Sequence, residues 1–127
     1  MSYVKKQLRD VEDSAPGHGF GEVQEARFAT KDLEAVGTGI AYHVLRPGKR
    51  QPFAHKHDAA EEVYVVISGS GRIALDEDVV ELETMDAVRI PPEITRRVEA
   101  GPEGIEFLAF GPRHEGDGEL VQGFWDE

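Results

Sequence analysis

The chain has no cysteine in its 127 residues. That excludes disulfides, thiolate metal ligands and a cysteine nucleophile, and it fits a reducing cytoplasm, the compartment expected here. Long apolar runs are also missing. The longest wholly apolar stretch, 63–67, is strand-sized, whereas a membrane-spanning helix needs about 20 such residues. Residues 1–10 carry basic side chains with no apolar run behind them, so no signal peptide is expected. Positive charge is scarce: 14 Lys and Arg stand against 25 Asp and Glu, a net charge of -11. Nucleic-acid binding depends on clustered cations that neutralise phosphates, so it is excluded, and the acidity reads as a solubility feature. Any anionic ligand would need a local positive centre. No stretch of a dozen residues shows helical apolar periodicity, and 8–12 makes at most one helical turn. No nucleophile elbow, phosphate loop, dinucleotide fingerprint or Ser-His-Asp spacing is present.

What is present is a succession of short β-patterned runs separated by turn residues. Strands are expected at 22–28, 39–45, 52–57, 62–67, 71–76, 79–82, 87–90, 96–99 and 105–110. Asp76-Glu77-Asp78 reads as a tight hairpin turn, and Gly69-Ser70-Gly71 supplies positions tolerant of positive φ. Nine strands in one domain of this length suit an all-β double-sheet jelly roll. Residues 1–37 read as an N-terminal extension with the first strands, 38–111 as the barrel core, and 112–127 as a tail. The tail is acidic yet carries Phe124 and Trp125, which are expected to pack on the barrel or on a second subunit. Glu81, Glu83 and Asp86 read as a solvated strand edge that discourages aggregation.

The chemistry concentrates at His55-Lys56-His57 and Glu62. Two histidines at i and i+2 of an extended segment share a face, because strand side chains alternate with period two. A carboxylate on a neighbouring strand would complete a two-histidine, one-carboxylate set, which leaves coordination positions open as catalytic divalent metals require. Period two from Glu62 also places Tyr64 and Val66 inward. His43 lies between apolar residues on both faces, so parity does not decide where it points. His18 and His114, in glycine-rich terminal segments, read as solvated.

These residues resemble the cupin family over roughly residues 38–111. Gly48, His55, His57, Glu62 and Gly69 follow the order and spacing of the first family motif. The six residues between Glu62 and Gly69 select Glu62 over Glu61 as the acid. The second motif is degraded: Met85 and Glu93 stand at its glycines, Pro91 keeps its proline, and Arg96 stands at its histidine. The resemblance implies a double-stranded β-helix barrel and a divalent metal ion (Fe, Mn, Ni or Zn) on His55, His57 and Glu62. It also implies a homodimer and a small-molecule ligand, polar or anionic.

Arg96 occupies the fourth ligand position. A guanidinium offers no lone pair and stays charged; at 4 Å and an effective dielectric of 20 each pair of unit charges costs about 4 kcal/mol. Three outcomes are open. Three residues hold the metal while Arg96 reaches for an anionic ligand; or Arg96 pairs with Glu62 in a metal-free pocket; or His43 substitutes as ligand. Arg97 lies on the opposite face unless a bulge exchanges the two. The expected function is a metal-dependent oxygenase, isomerase or lyase, with Arg96, Tyr64 and His43 meeting the substrate, or else a metal-free small-molecule binder.

Overall fold

The computed structural model describes residues 2–113 and 116–126; His114 lies outside them. Eight strands are present among the described residues: β1 (Gln24–Phe28), β2 (Thr38–Leu45), β3 (Ala54–His57), β4 (Glu62–Leu75), β5 (Asp78–Leu82), β6 (Ala87–Ile90), β7 (Arg96–Pro112) and β8 (Gly118–Val121). Two 3-10 turns, Leu8–Asp10 and Pro16–His18, are the only helical elements among the described residues. No helix there is long and apolar enough to cross a membrane.

Every pairing is antiparallel. One path runs β1-β2-β7-β3-β8, and β4 joins it through β7 while also pairing with β5 and β6. The long β7 organises the roll. Its first half pairs with Gly71–Leu75 of β4 and meets β3 at His55↔Arg96; its second half lies between β2 and Val63–Gly69 of β4. Alternation decides what each strand buries. Along β4, Tyr64, Val66, Ile73 and Ala74 are buried; along β7, Arg96, Val98, Ala100, Phe107 and Ala109 are. All of these but Ala74 and Arg96 join Leu45, Leu82, Ile90 and Ile105 in one contiguous apolar core. Each fully buried aliphatic side chain there contributes about 1.5–3 kcal/mol by removal from water.

Two expected boundaries dissolve. The runs 62–67 and 71–76 are one strand, and so are 96–99 and 105–110. Gly69-Ser70-Gly71 is a bulged stretch rather than a turn, with register shifts between Val66 and Ser68 and between Gly69 and Gly71. Glycine is required at Gly69: φ is +78°, and a Cβ would meet Gly104 O at 2.1 Å. The expected hairpin at 76–78 is present, as a two-residue turn with Asp76 at φ 52 joining Leu75 to Asp78. The tail supplies an eighth strand that the sequence pattern did not announce.

Both ends pack on this chain's own barrel. Asp13 accepts backbone N–H bonds from Ala15 and Ala26 (3.0 and 2.9 Å), and Arg27 donates to the Val11 carbonyl. At the other end the Arg50 guanidinium lies 4.0 Å from the Trp125 ring centroid, with that of Arg72 at 5.3 Å on the same ring. Arg97 donates to Gln51 O (2.7 Å), Phe124 O (2.9 Å) and Asp126 (2.6 Å). Arg97 therefore serves the outer face, and no bulge exchanges it with Arg96.

Candidate metal centre and its cavity

β3 presents His55 and His57 on one side, while Lys56 points away to Glu119 at 3.7 Å. β4 begins with Glu62, and the three side chains converge. His55, His57 and Glu62 each place a ligand atom within 4.8 Å of the others, forming one potential metal-binding group among the described residues. The convergence point is Glu62 Oε1, with His57 Nε2 at 3.0 Å, His55 Nε2 at 3.5 Å and Arg96 Nη1 at 2.7 Å. Glu61, one residue earlier, is exposed and faces Arg89 at 3.4 Å.

Arg96 is the largest fully buried side chain, at 0% exposure. A buried cation must be paired and hydrogen-bonded. Nη1 is paired with Glu62, Nε donates to Ile94 O (2.9 Å), and Nη2 donates to Pro91 O (2.8 Å) and Pro92 O (3.4 Å). The expectation that Arg96 meets an anionic ligand finds no guanidinium on the cavity wall. Its donors are engaged behind the site, and the ion pair with Glu62 is formed.

Burial alone would raise the Glu62 pKa. Hydrogen bonds and charge from His55 and His57 outweigh it and hold the carboxyl well below the usual range. Tyr64, 3% exposed and beside Glu62 and Arg96, is pushed far upward by burial and by the Glu62 charge, so its hydroxyl keeps its proton.

His43 lies on the cavity wall, outside the three-residue group. It stacks on Phe107 at 5.0 Å and 23° and meets Phe28 edge-on at 5.8 Å. Burial, and then the charge of His55, lowers its pKa to about 4 against the opposing pull of Glu62, so the ring is neutral at neutral pH. Its buried Nδ1 has no hydrogen-bond partner.

One functional residue has no sequence signal. Asp117, side chain 1% exposed, accepts backbone N–H bonds from Asp58 (3.0 Å), Ala59 (3.0 Å) and Ala60 (2.8 Å), and its Oδ2 lies 3.4 Å from His57 Nδ1. It therefore ties down the loop between β3 and β4 and stands behind His57. β8 follows directly and pairs with the ligand strand, Leu120 opposite His55 and Gly118 opposite His57. The aspartate and strand sit in an acidic tail without apolar alternation, which hid them.

The three residues fit a divalent metal. Two imidazoles and a carboxylate are a mixed N/O set that leaves positions open, and the Asp117 carboxylate lies 3.4 Å from His57 Nδ1 without a hydrogen bond to it. The nearby charges are Glu62 and Asp117 against Arg96, one net negative charge to receive a dication. Arg96 places a positive charge on the same site, 2.7 Å from Glu62 Oε1.

The site forms the floor of a cavity of about 1040 Å³, walled by the N-terminal segment, β1, β2, β3 and the tail. His18, exposed as expected, donates from Nδ1 to Ser14 O (2.9 Å) at the cavity.

Comparison with known proteins accords with this geometry. A crystal structure of a cupin protein from Bacteroides fragilis superposes with a TM-score of 0.71 at 26% identity, covering 91% of this chain and 88% of that one. Oxalate decarboxylase from Bacillus subtilis gives 0.78 at 21% identity, over 95% of this chain and 32% of that one. A sugar phosphate isomerase of the cupin superfamily from Silicibacter pomeroyi gives 0.75 at 15%, over 94% and 82%. The last two show the fold alone. An uncharacterized protein of Methanocaldococcus jannaschii is 36% identical over 66 residues, and the chain spans about half of that relative, 52% of its length. The pattern of the cupin domain matches residues 41–110, more than half of the chain. The chain belongs to the cupin domain family.

Proposed function

We propose that this cupin binds a divalent metal ion through His55, His57 and Glu62 at the floor of a small-molecule cavity, with Arg96 replacing a fourth ligand. One observation carries the reading: two imidazole nitrogens and a carboxylate oxygen from consecutive strands meet within 4.8 Å, facing a cavity rather than the core. A metal ion bound there would supply Lewis acidity to an oxygen- or nitrogen-bearing group of the ligand. The chain's own residues do the rest. Arg96 fixes the Glu62 carboxylate, Asp117 fixes the loop that carries His57 into Glu62, and Tyr64 keeps a phenolic proton beside Glu62. His43 presents a neutral ring on the wall.

Metal-free binding is the second reading, favoured by the 2.7 Å contact between Arg96 Nη1 and Glu62 Oε1. Calorimetric titration of the metal-free protein with Zn²⁺ and Mn²⁺ separates the two. One equivalent bound by the parent and none by the variant carrying His55→Ala and His57→Ala supports the metal site. No heat of binding with either ion supports the metal-free pocket.

A further inference from the structure

The cavity walls differ in chemistry from its floor. Phe20 and Phe53 form an edge-to-face pair at 5.8 Å on one side, and Phe28 with His43 lines another. Three large apolar side chains on this cavity remain open to solvent: Phe28 at 59%, Leu120 at 54% and Phe53 at 38%. Exposed apolar groups gathered around a concavity mark a binding site, whereas the same residues scattered singly would need no explanation.

Charge on the wall points the same way. Among the described residues the lining contains two permanent cations, Lys31 and Arg113, and three carboxylates, Asp32, Glu62 and Glu119. Arg113 already donates to Ala35 O at 3.0 Å, and Arg96 is sealed behind the floor. Without a bound metal ion, a phosphate or dicarboxylate would enter a wall with no net positive charge, in a protein of net charge -11.

We propose that the cavity takes an uncharged, predominantly apolar molecule of at least two-ring size, whose single oxygen- or nitrogen-bearing head meets His55, His57 and Glu62. The role of the head rests on the metal reading above; the apolar body does not. The volume of about 1040 Å³ accommodates such a body. Rings stacked against phenylalanine edges and faces gain packing that a hydrated sugar or phosphate would not. This replaces the polar or anionic ligand anticipated from Arg96.

N-phenyl-1-naphthylamine, an uncharged fluorophore with an apolar body, serves as the probe on the full chain. Its emission should rise on titration with the metal-free and the Zn²⁺-loaded protein alike. 2-Naphthohydroxamate should displace it, and glucose 6-phosphate should not at the same concentration. Phe53→Arg and Leu120→Arg, both on the cavity lining and already exposed, should each weaken probe binding about tenfold or more. Val80→Arg, 40% exposed on β5 and outside the cavity, should leave it unchanged.

Displacement by glucose 6-phosphate, or a loss with Val80→Arg as large as with Phe53→Arg, would overturn the proposal. So would absent probe binding in a protein whose cavity mouth is covered by a second copy. The two readings fail separately. Zn²⁺ uptake without probe binding removes the ligand class and leaves the metal site. Probe binding with identical hydroxamate affinity with and without Zn²⁺ keeps the ligand class and removes the metal from its recognition.

Discussion

Replacing Glu62 with glutamine in metal-free protein isolates the buried ion pair. The Arg96 side chain is 0% exposed and that of Glu62 19%. Removing one partner of a buried pair costs about 3–5 kcal/mol, because the other charge stays desolvated and uncompensated. The partial exposure of Glu62 argues for the lower end, about 3 kcal/mol. A domain of 127 residues has roughly 6–19 kcal/mol of total stability. Its unfolding entropy is about 0.27 kcal/mol per degree, so the melting temperature should fall by about 11 °C. Arg96→Met should cost less, since Glu62 keeps His57 at 3.0 Å and the backbone carbonyls released near Pro91 tolerate the loss better than a buried cation would. The double variant should be more stable than Glu62→Gln alone. Urea unfolding in excess chelator, with calorimetry in parallel, measures all four proteins. A cost below about 1 kcal/mol for Glu62→Gln, or simple additivity in the double variant, would refute the coupled buried pair.

Arg96→His should raise divalent affinity by at least about tenfold, since it removes a repulsive charge and adds a nitrogen ligand; unchanged affinity by calorimetric titration would mean that Arg96 does not act on the site. Asp117→Ala leaves the N–H groups of Asp58, Ala59 and Ala60 without their acceptor, so stability should fall by about 2–4 kcal/mol and metal affinity by about 10- to 100-fold. Wild-type affinity in a destabilised variant would assign the aspartate to the loop alone. The pH dependence has two limbs. His43 has a folded pKa of about 4 against an ordinary 6.5, so the unfolded chain binds the extra proton and stability declines as pH falls from 6.5 toward 4, by up to about 3 kcal/mol. Glu62 and Glu99 are depressed below the ordinary 4.5, so their contribution is present above that pH and is lost as pH drops below it. His43→Gln should flatten the first limb of a pH series of denaturant unfolding curves and leave the second; a first limb unchanged by the substitution would contradict the buried neutral ring.

The sequence disclosed those parts of the fold whose side chains encode their own placement. Alternation of Tyr64 and Val66 with their neighbours showed the inward face of β4, and both are buried. Spacing singled out His55, His57 and Glu62, and the structure brings them together. Strand continuity was hidden because it depends on tertiary approach: Gly69 and Gly71 look like turn residues, yet they are where β4 passes against Gly104 and Glu99 of β7. β8 was hidden for another reason. Its first three residues, Gly118 to Leu120, are exposed, so it is held by backbone pairing with β3 and carries no apolar pattern. Asp117 was invisible because its role is to accept N–H bonds from residues 57–59 positions earlier. Arg96 was recognised as the decisive departure, but three outcomes stayed open until the partners of its guanidinium were located.

The metal content of native, untagged protein after dialysis against a weak chelator tests the central claim most directly. Plasma mass spectrometry should find about one divalent ion per chain in the parent, and none in the variant carrying His55→Ala and His57→Ala, which should remain folded by circular dichroism. A parent without metal even after reconstitution, or a double variant retaining the same content, would contradict the three-residue site.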